Sequence, residues 1–118
     1  MPKIHCVGHL TAKEGKERDL ESLLQEIVDA IEARDPGTVA FGFFHADEPD
    51  SYIAIEVYED SDAALGHLAN VGPLLAKLGD VIDSTGGEPL QVFGDPSPAL
   101  REQYAAFGAV YRPALRSL

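Results

Sequence analysis

Residues 38–68 read TVAFGFFHADEPDSYIAIEVYEDSDAALGHL. Thr38–Ala46 is β-rich and aromatic, and Asp47–Ser51 is a turn. Tyr52–Tyr58 then alternates, with Ile53, Ile55 and Val57 on one face and Tyr52, Ala54, Glu56 and Tyr58 on the other. Two such strands joined by a short loop form a hairpin. The second strand runs straight into Glu59-Asp60-Ser61-Asp62, a helix start with Asp60 or Ser61 as cap and acids in the first turn. A small-residue helix follows through Ala63, Ala64 and Leu68, and it carries a single histidine, His67.

Working outward, residues 3–11 also alternate, with Ile4, Cys6, Gly8 and Leu10 opposite His5, Val7, His9 and Thr11. Residues 16–34 change period: Leu20, Leu23, Leu24, Ile27, Val28 and Ile31 make one apolar helix stripe that stops near Asp35-Pro36-Gly37. Downstream, the second helix is expected to pause at Asn70–Gly72 and to restart at Pro73, with Leu74, Leu75, Leu78, Val81 and Ile82 continuing its stripe. A break at Ser84–Pro89 precedes a fourth strand, Leu90–Gly94. Ser97-Pro98 opens a short helix with Leu100, Tyr104 and Phe107 at helical spacing, while Gly108 and Pro113 point to an irregular end. The order β-α-β-β-α-β predicts an α+β, ferredoxin-like domain with an antiparallel sheet ordered 4-1-3-2 and both helices on one face. Its expected bounds are 1–95, with 96–118 an extension that packs on the body or on a partner subunit.

A chain of 118 residues with 45% hydrophobic and 25% charged residues makes one soluble domain with a core of its own. No apolar run is long enough to span a bilayer, and no signal-peptide pattern opens the chain. A single cysteine, Cys6, fits a reducing cytoplasm and reads as a small buried hydrophobe. The net charge of −11, with only nine Lys and Arg, argues against nucleic acid as a partner. Residues 99–118 invert the balance, with Arg101, Arg112 and Arg116 against Glu102.

Strand two is apolar on both faces, with Val39, Phe41 and Phe43 on one and Ala40, Gly42 and Phe44 on the other. Helices cover only one side of such a sheet, so the other side calls for a second copy, and a homodimer is expected.

The stretch resembles the antibiotic biosynthesis monooxygenase family. The resemblance rests on Pro36-Gly37-Thr38, the acid and proline turn before strand three, Glu56-x-Tyr58-x-Asp60, Ala63 and His67-Leu68, and it covers roughly residues 3–95. It implies a dimeric α+β barrel. It also implies a small-molecule ligand and, from the best-known members, oxidation of aromatic phenols to quinones by molecular oxygen with no cofactor and no metal. Other members degrade haem, isomerise small phosphorylated sugars or have no assigned activity. The tryptophan associated with aromatic oxidation is missing, because the chain has no Trp. The haem-degrading pattern is missing too: its strand-one Asn falls on Gly8 and its helix-two Trp on His67.

Cofactor-free oxidation needs a base, a polar group for the resulting charge and a dry cavity. His67 is the candidate base, at the edge of the helix-two stripe, with Gly8 and Gly66 expected to leave room beside it. Glu56 and Tyr58 are further catalytic candidates. Glu56 also reads as a hydrogen-bonded carboxylate at the subunit interface, and Tyr52 and Tyr58 as core or interface residues. Phe41 and Phe43 are expected in the pocket wall. If Gly8 faces the helices, His5 and His9 are expected on the barrel side with Tyr52, Glu56 and Tyr58, and His9, His45 and Tyr52 at one end of the sheet. No local spacing of known metal ligands appears. Ser84-Thr85-Gly86-Gly87 lacks the lysine of a phosphate loop. The expected function is a cofactor-independent monooxygenase acting on a small aromatic or quinol-type compound. The alternative is a non-catalytic ligand-binding dimer, or an isomerase, of the same fold. An enclosed cavity with His67 in its wall favours ligand binding or catalysis; a filled interior favours a scaffold role.

Overall fold

The computed structural model describes residues 2–83 and 88–118. Met1 and Ser84–Gly87, where most of the expected break falls, lie outside that description. The chain runs β1 (Ile4–Thr11), α1 (Glu17–Arg34), β2 (Thr38–His45), β3 (Ser51–Tyr58), α2 (Ser61–Leu78), β4 (Gln91–Phe93), α3 (Pro98–Tyr104) and β5 (Val110–Arg112). The sheet order is β2-β3-β1-β4-β5. Its first four strands pair antiparallel and give the ferredoxin-like α+β arrangement read from the sequence. No helix among the described residues is long and apolar enough to cross a membrane.

Several local expectations fail. Helix α2 does not pause: it runs unbroken from Ser61 to Leu78 with Pro73 inside it. Pro73 removes one backbone donor, but Val71 before it and Leu74, Leu75 and Leu78 after it all pack against the α1 cluster. Tertiary packing on both sides carries the helix across a local breaker. The last ten residues are not all irregular either. Gly108, at φ +63°, turns the chain back after α3. Val110–Arg112 then pairs parallel with β4, the Val110 N–H donating to Leu90 O and the Gly94 N–H to Arg112 O, both at 2.9 Å. Three residues are too few to show a period in sequence.

Residues directly across antiparallel strands share a face. The inner face, under the helices, therefore carries Ile4 beside Tyr58, Cys6 beside Glu56 and Phe41, Gly8 beside Ala54 and Phe43, and Leu10 beside Tyr52 and His45. The outer face carries His5, Val7 and His9 with Val57, Ile55 and Ile53, and then Ala40, Gly42 and Phe44. A register shift between Thr38 and Ala40 takes Val39 out of line with Phe41 and Phe43, and Val39 is exposed.

Two buried clusters fill the inner side. Leu20, Leu23, Leu24, Ile27 and Ile31 of α1 pack on Tyr52 and on Val71 of α2. Leu100 and Tyr104 of α3 pack with Ile4, Cys6, Tyr58, Ala64 and Val92. Part of the sequence beyond residue 95 thus belongs to the core of the same chain.

Candidate functional site

The polar interior begins where α1 ends. Asp35 caps the C-terminus of that helix, its N–H reaching Ile31 O. Its side chain is only 3% exposed. A buried carboxylate needs donors, and α2 supplies them from one face at i and i+3 spacing. His67 Nδ1 lies 2.7 Å from Asp35 Oδ2, and Asn70 Nδ2 donates to Asp35 Oδ1 at 2.7 Å and to Ala30 O at 3.0 Å. An ionised carboxylate only accepts, so Nδ1 carries the hydrogen in this contact and Nε2 is the remaining ring nitrogen.

The His67 ring lies 5.4 Å from the Phe41 ring and 5.0 Å from the Tyr58 ring. The Tyr58 hydroxyl donates to Glu56. Burial raises the Glu56 pKa, opposed by the Tyr58 hydrogen bond and by the nearby His67. Burial and then Glu56 raise that of Tyr58. Beyond Glu56, the Cys6 thiol sits 3.4 Å from the Tyr104 hydroxyl of α3. Burial, with Glu56 adding to it, pushes the Cys6 thiol up to about 12 against the effect of the Tyr104 contact. A polar string thus crosses the core from Asp35 to Tyr104.

Several sequence expectations are regrouped. His67, Glu56, Tyr58 and Phe41 come together. Glu56, Tyr52 and Tyr58 do not share the barrel side with His5 and His9, because Cys6, not His5, stands opposite Glu56. Glu56 is accordingly an interior group and not an outer-face one. The His9, His45 and Tyr52 group is split. His45 is exposed with its ring 5.3 Å from that of Tyr52, whose hydroxyl donates to Glu21. His9 lies on the other face, its Nδ1 3.8 Å from Glu88. Phe43 packs edge-on to Phe41, 5.1 Å away, against the α1 cluster. Gly8 leaves space for a methyl group only, since a Cβ there would stand 3.6 Å from Leu90 and 3.8 Å from Ala54. Gly66 opens no interior room, because it lies on the exposed side of α2. Two pockets, of about 930 and 240 Å³, lie away from His67. Among the described residues no three His, Cys, Asp or Glu side chains converge as metal ligands.

Sequence reasoning missed Asp35, Asn70 and Tyr104. Asp35 carried the signal of a helix stop and Asn70 that of a helix pause, and neither local signal speaks of a partner more than 30 residues away.

A small α+β domain with one imidazole held by a buried carboxylate is the class that fold and site define. The antibiotic biosynthesis monooxygenase family matches residues 3–72, and the chain belongs to that family. A comparison with curated protein sequences gives no match. Among solved structures, MupZ from Pseudomonas fluorescens is similar at 16% identity and TM-score 0.83, over 100% of this chain and 94% of that one. Rv0793 from Mycobacterium tuberculosis aligns at 13% identity and TM-score 0.70, over 83% of this chain and 99% of that one. SnoaB from Streptomyces nogalater, a cofactor-independent oxygenase, aligns at 23% identity and TM-score 0.65, over 82% of this chain and 96% of that one.

Asp35→Ala strips a charge-assisted partner from His67 and another from Asn70. It is expected to lower the unfolding free energy by about 2–4 kcal/mol in urea titration; a loss below about 1 kcal/mol would show that the bridge does not hold the helices. Cys6, buried and held as the thiol, is expected to resist a thiol-specific reagent at pH 8 in the folded protein and to react once unfolded. Rapid labelling of the native state would mean that Tyr104 and α3 do not cover it.

Proposed function

We propose that this chain is a cytoplasmic, homodimeric, cofactor-independent monooxygenase acting on a small phenolic or quinol-type compound. One observation carries the reading: the buried 2.7 Å contact between His67 Nδ1 and Asp35. It orients the imidazole, fixes its tautomer and leaves Nε2 as a proton acceptor. In this reading Nε2 takes the phenolic proton, and the electron-rich anion reacts with oxygen. One oxygen atom enters the ring and the other leaves as water when the quinone forms. Phe41 and Tyr58, flanking the imidazole, are suited to an aromatic ring in place of part of the present packing. Burial favours the neutral form of Glu56, which spares an anionic intermediate a repelling neighbour.

Family membership supports a monooxygenase of this fold, and SnoaB supports the fold alone. The closed packing of His67, 5% exposed and outside both pockets, favours a scaffold role for the Asp35 bridge, and with it the second reading, a dimer whose ligand-binding or isomerising site lies elsewhere. Oxygen uptake separates the two. With a panel of hydroquinones and polycyclic phenols after chelation, the native protein is expected to consume oxygen, and a folded His67→Ala variant is expected to do so at least about 100-fold more slowly. No uptake by the native protein across the panel would sink the oxygenase reading.

The dimer has its own support. Phe44 is 55% exposed and Ile55 45%, on an outer face that also carries Val7, Ile53 and Val57. Covering that face releases about 25 cal/mol per Å² of apolar area buried. Phe44→Glu is expected to yield a folded monomer in sedimentation velocity where the native chain sediments as a dimer. A dimer that Phe44→Glu leaves intact would place the contact elsewhere.

A further inference from the structure

After β5 the chain stops packing on itself. Among the described residues, Pro113–Leu118 makes no hydrogen bond, ion pair or ring contact. Leu115 is fully exposed at 103%. Yet the segment is not remote from the body. Together with Arg112 it frames the 930 Å³ pocket, whose opposite wall includes Lys3, His5, Phe93 and Asp95. Register places His5, Phe93 and Arg112 on the outer face. The unpartnered segment therefore stands at the rim of the apolar face on which a second copy would sit.

Reach and charge say how that copy would meet it. Arg116 stands four residues beyond Arg112, about 13 Å of extended chain, which is close to the width of the three strand spacings from β5 to β3. Arg112 and Arg116 have no acidic partner among the described residues: Asp95, in the same pocket, lies 3.7 Å from Arg101. Asp47, Glu48 and Asp50 form the β2–β3 turn at the opposite end of the sheet, next to Thr11, whose partner is Ser51. Two copies packed outer face to outer face with like ends together would leave each basic segment a strand's length from the other copy's acidic turn. With the ends opposed, each basic segment reaches the other copy's acidic turn, twice by symmetry.

We infer that Pro113–Leu118 is an arm received by a second copy of this chain, with Leu115 settling on the partner's outer face and Arg116 meeting its Asp47–Asp50 turn. This rests on the dimer reading above. It commits to the partner's orientation and to a segment outside the family match. Sedimentation equilibrium tests it on the full chain, on a chain ending at Arg112 and on Leu115→Asp, with circular dichroism confirming the fold. Removing the arm is expected to raise the dimer dissociation constant at least about tenfold, with Leu115→Asp moving it in the same direction. Arg116→Glu is expected to weaken the dimer, and adding Glu48→Lys to restore it. An unchanged constant for the truncated chain and for Leu115→Asp overturns the arm and leaves the face contact standing. A full chain that stays monomeric overturns both. Failure of Glu48→Lys to restore an Arg116→Glu dimer overturns the opposed arrangement.

Discussion

The Asp35 carboxylate is the constraint on which the interior depends. It is taken out of water at the end of α1, where burial without donors would be costly. His67 and Asn70 answer it from α2, and Thr38 Oγ1 lies 3.4 Å from the same carboxylate at the start of β2. These contacts fix where α1 stops, how α2 is rotated and where β2 begins. Asn70 adds a bond to Ala30 O and so ties the two helices a turn earlier. The imidazole is oriented as a by-product of satisfying a buried charge. The same bond would serve a scaffold and, in the proposed reading, a base, which is why stability and oxygen uptake have to be measured separately.

The sheet divides the polar groups more sharply than composition suggests. Cys6, Glu56 and Tyr58 stand inside, Tyr58 donating to Glu56 and Cys6 in contact with the Tyr104 hydroxyl, while His5 and His9 stand outside. The inner groups are desolvated, so Cys6, Tyr58 and Glu56 all favour their neutral forms. An interior biased toward neutral acids, beside one imidazole with a carboxylate behind it, is asymmetric: one ring nitrogen lies away from the carboxylate while the neighbouring acids hold their protons. That asymmetry is what the proposed proton abstraction from a phenol would require.

The fold was legible because long elements carry clean periods. The α1 stripe and the β3 alternation each repeat often enough to outweigh local noise, and the chain order then leaves few topologies. Legibility failed where a local signal competed with distant packing. Pro73 signals a break, but Val71 before it and the leucines after it, packed on the α1 cluster, carry α2 unbroken through it. Val39 follows the strand period, but the register shift turns it out. At the site, His67 was found because it is the single histidine of α2 and sits at the stripe edge. Asp35 was not, since Asp-Pro-Gly is fully explained as a stop. The face of Glu56 depends on strand register, which alternation within one strand does not set.

The sequence beyond residue 72 shows how far family likeness reaches into this chain. Leu100 and Tyr104 are buried against Ile4, Cys6 and Tyr58, so α3 forms part of the wall around the polar string. Ser97 caps that helix and its N–H also binds Ser61 Oγ at the first turn of α2, which anchors α3 to the helix bearing His67. Arg101 lies over the Tyr111 ring at 4.2 Å, tying α3 to the strand that extends the sheet. The α3 contacts with Ile4, Cys6, Tyr58 and Ser61 each join a residue outside the family match at residues 3–72 to one inside it. The matched segment supplies the imidazole and its carboxylate; the unmatched segment closes the Cys6 side of the same interior. Differences between this chain and a family member lacking α3 therefore fall at the Cys6 end of the site, far from the Asp35 bridge along the string.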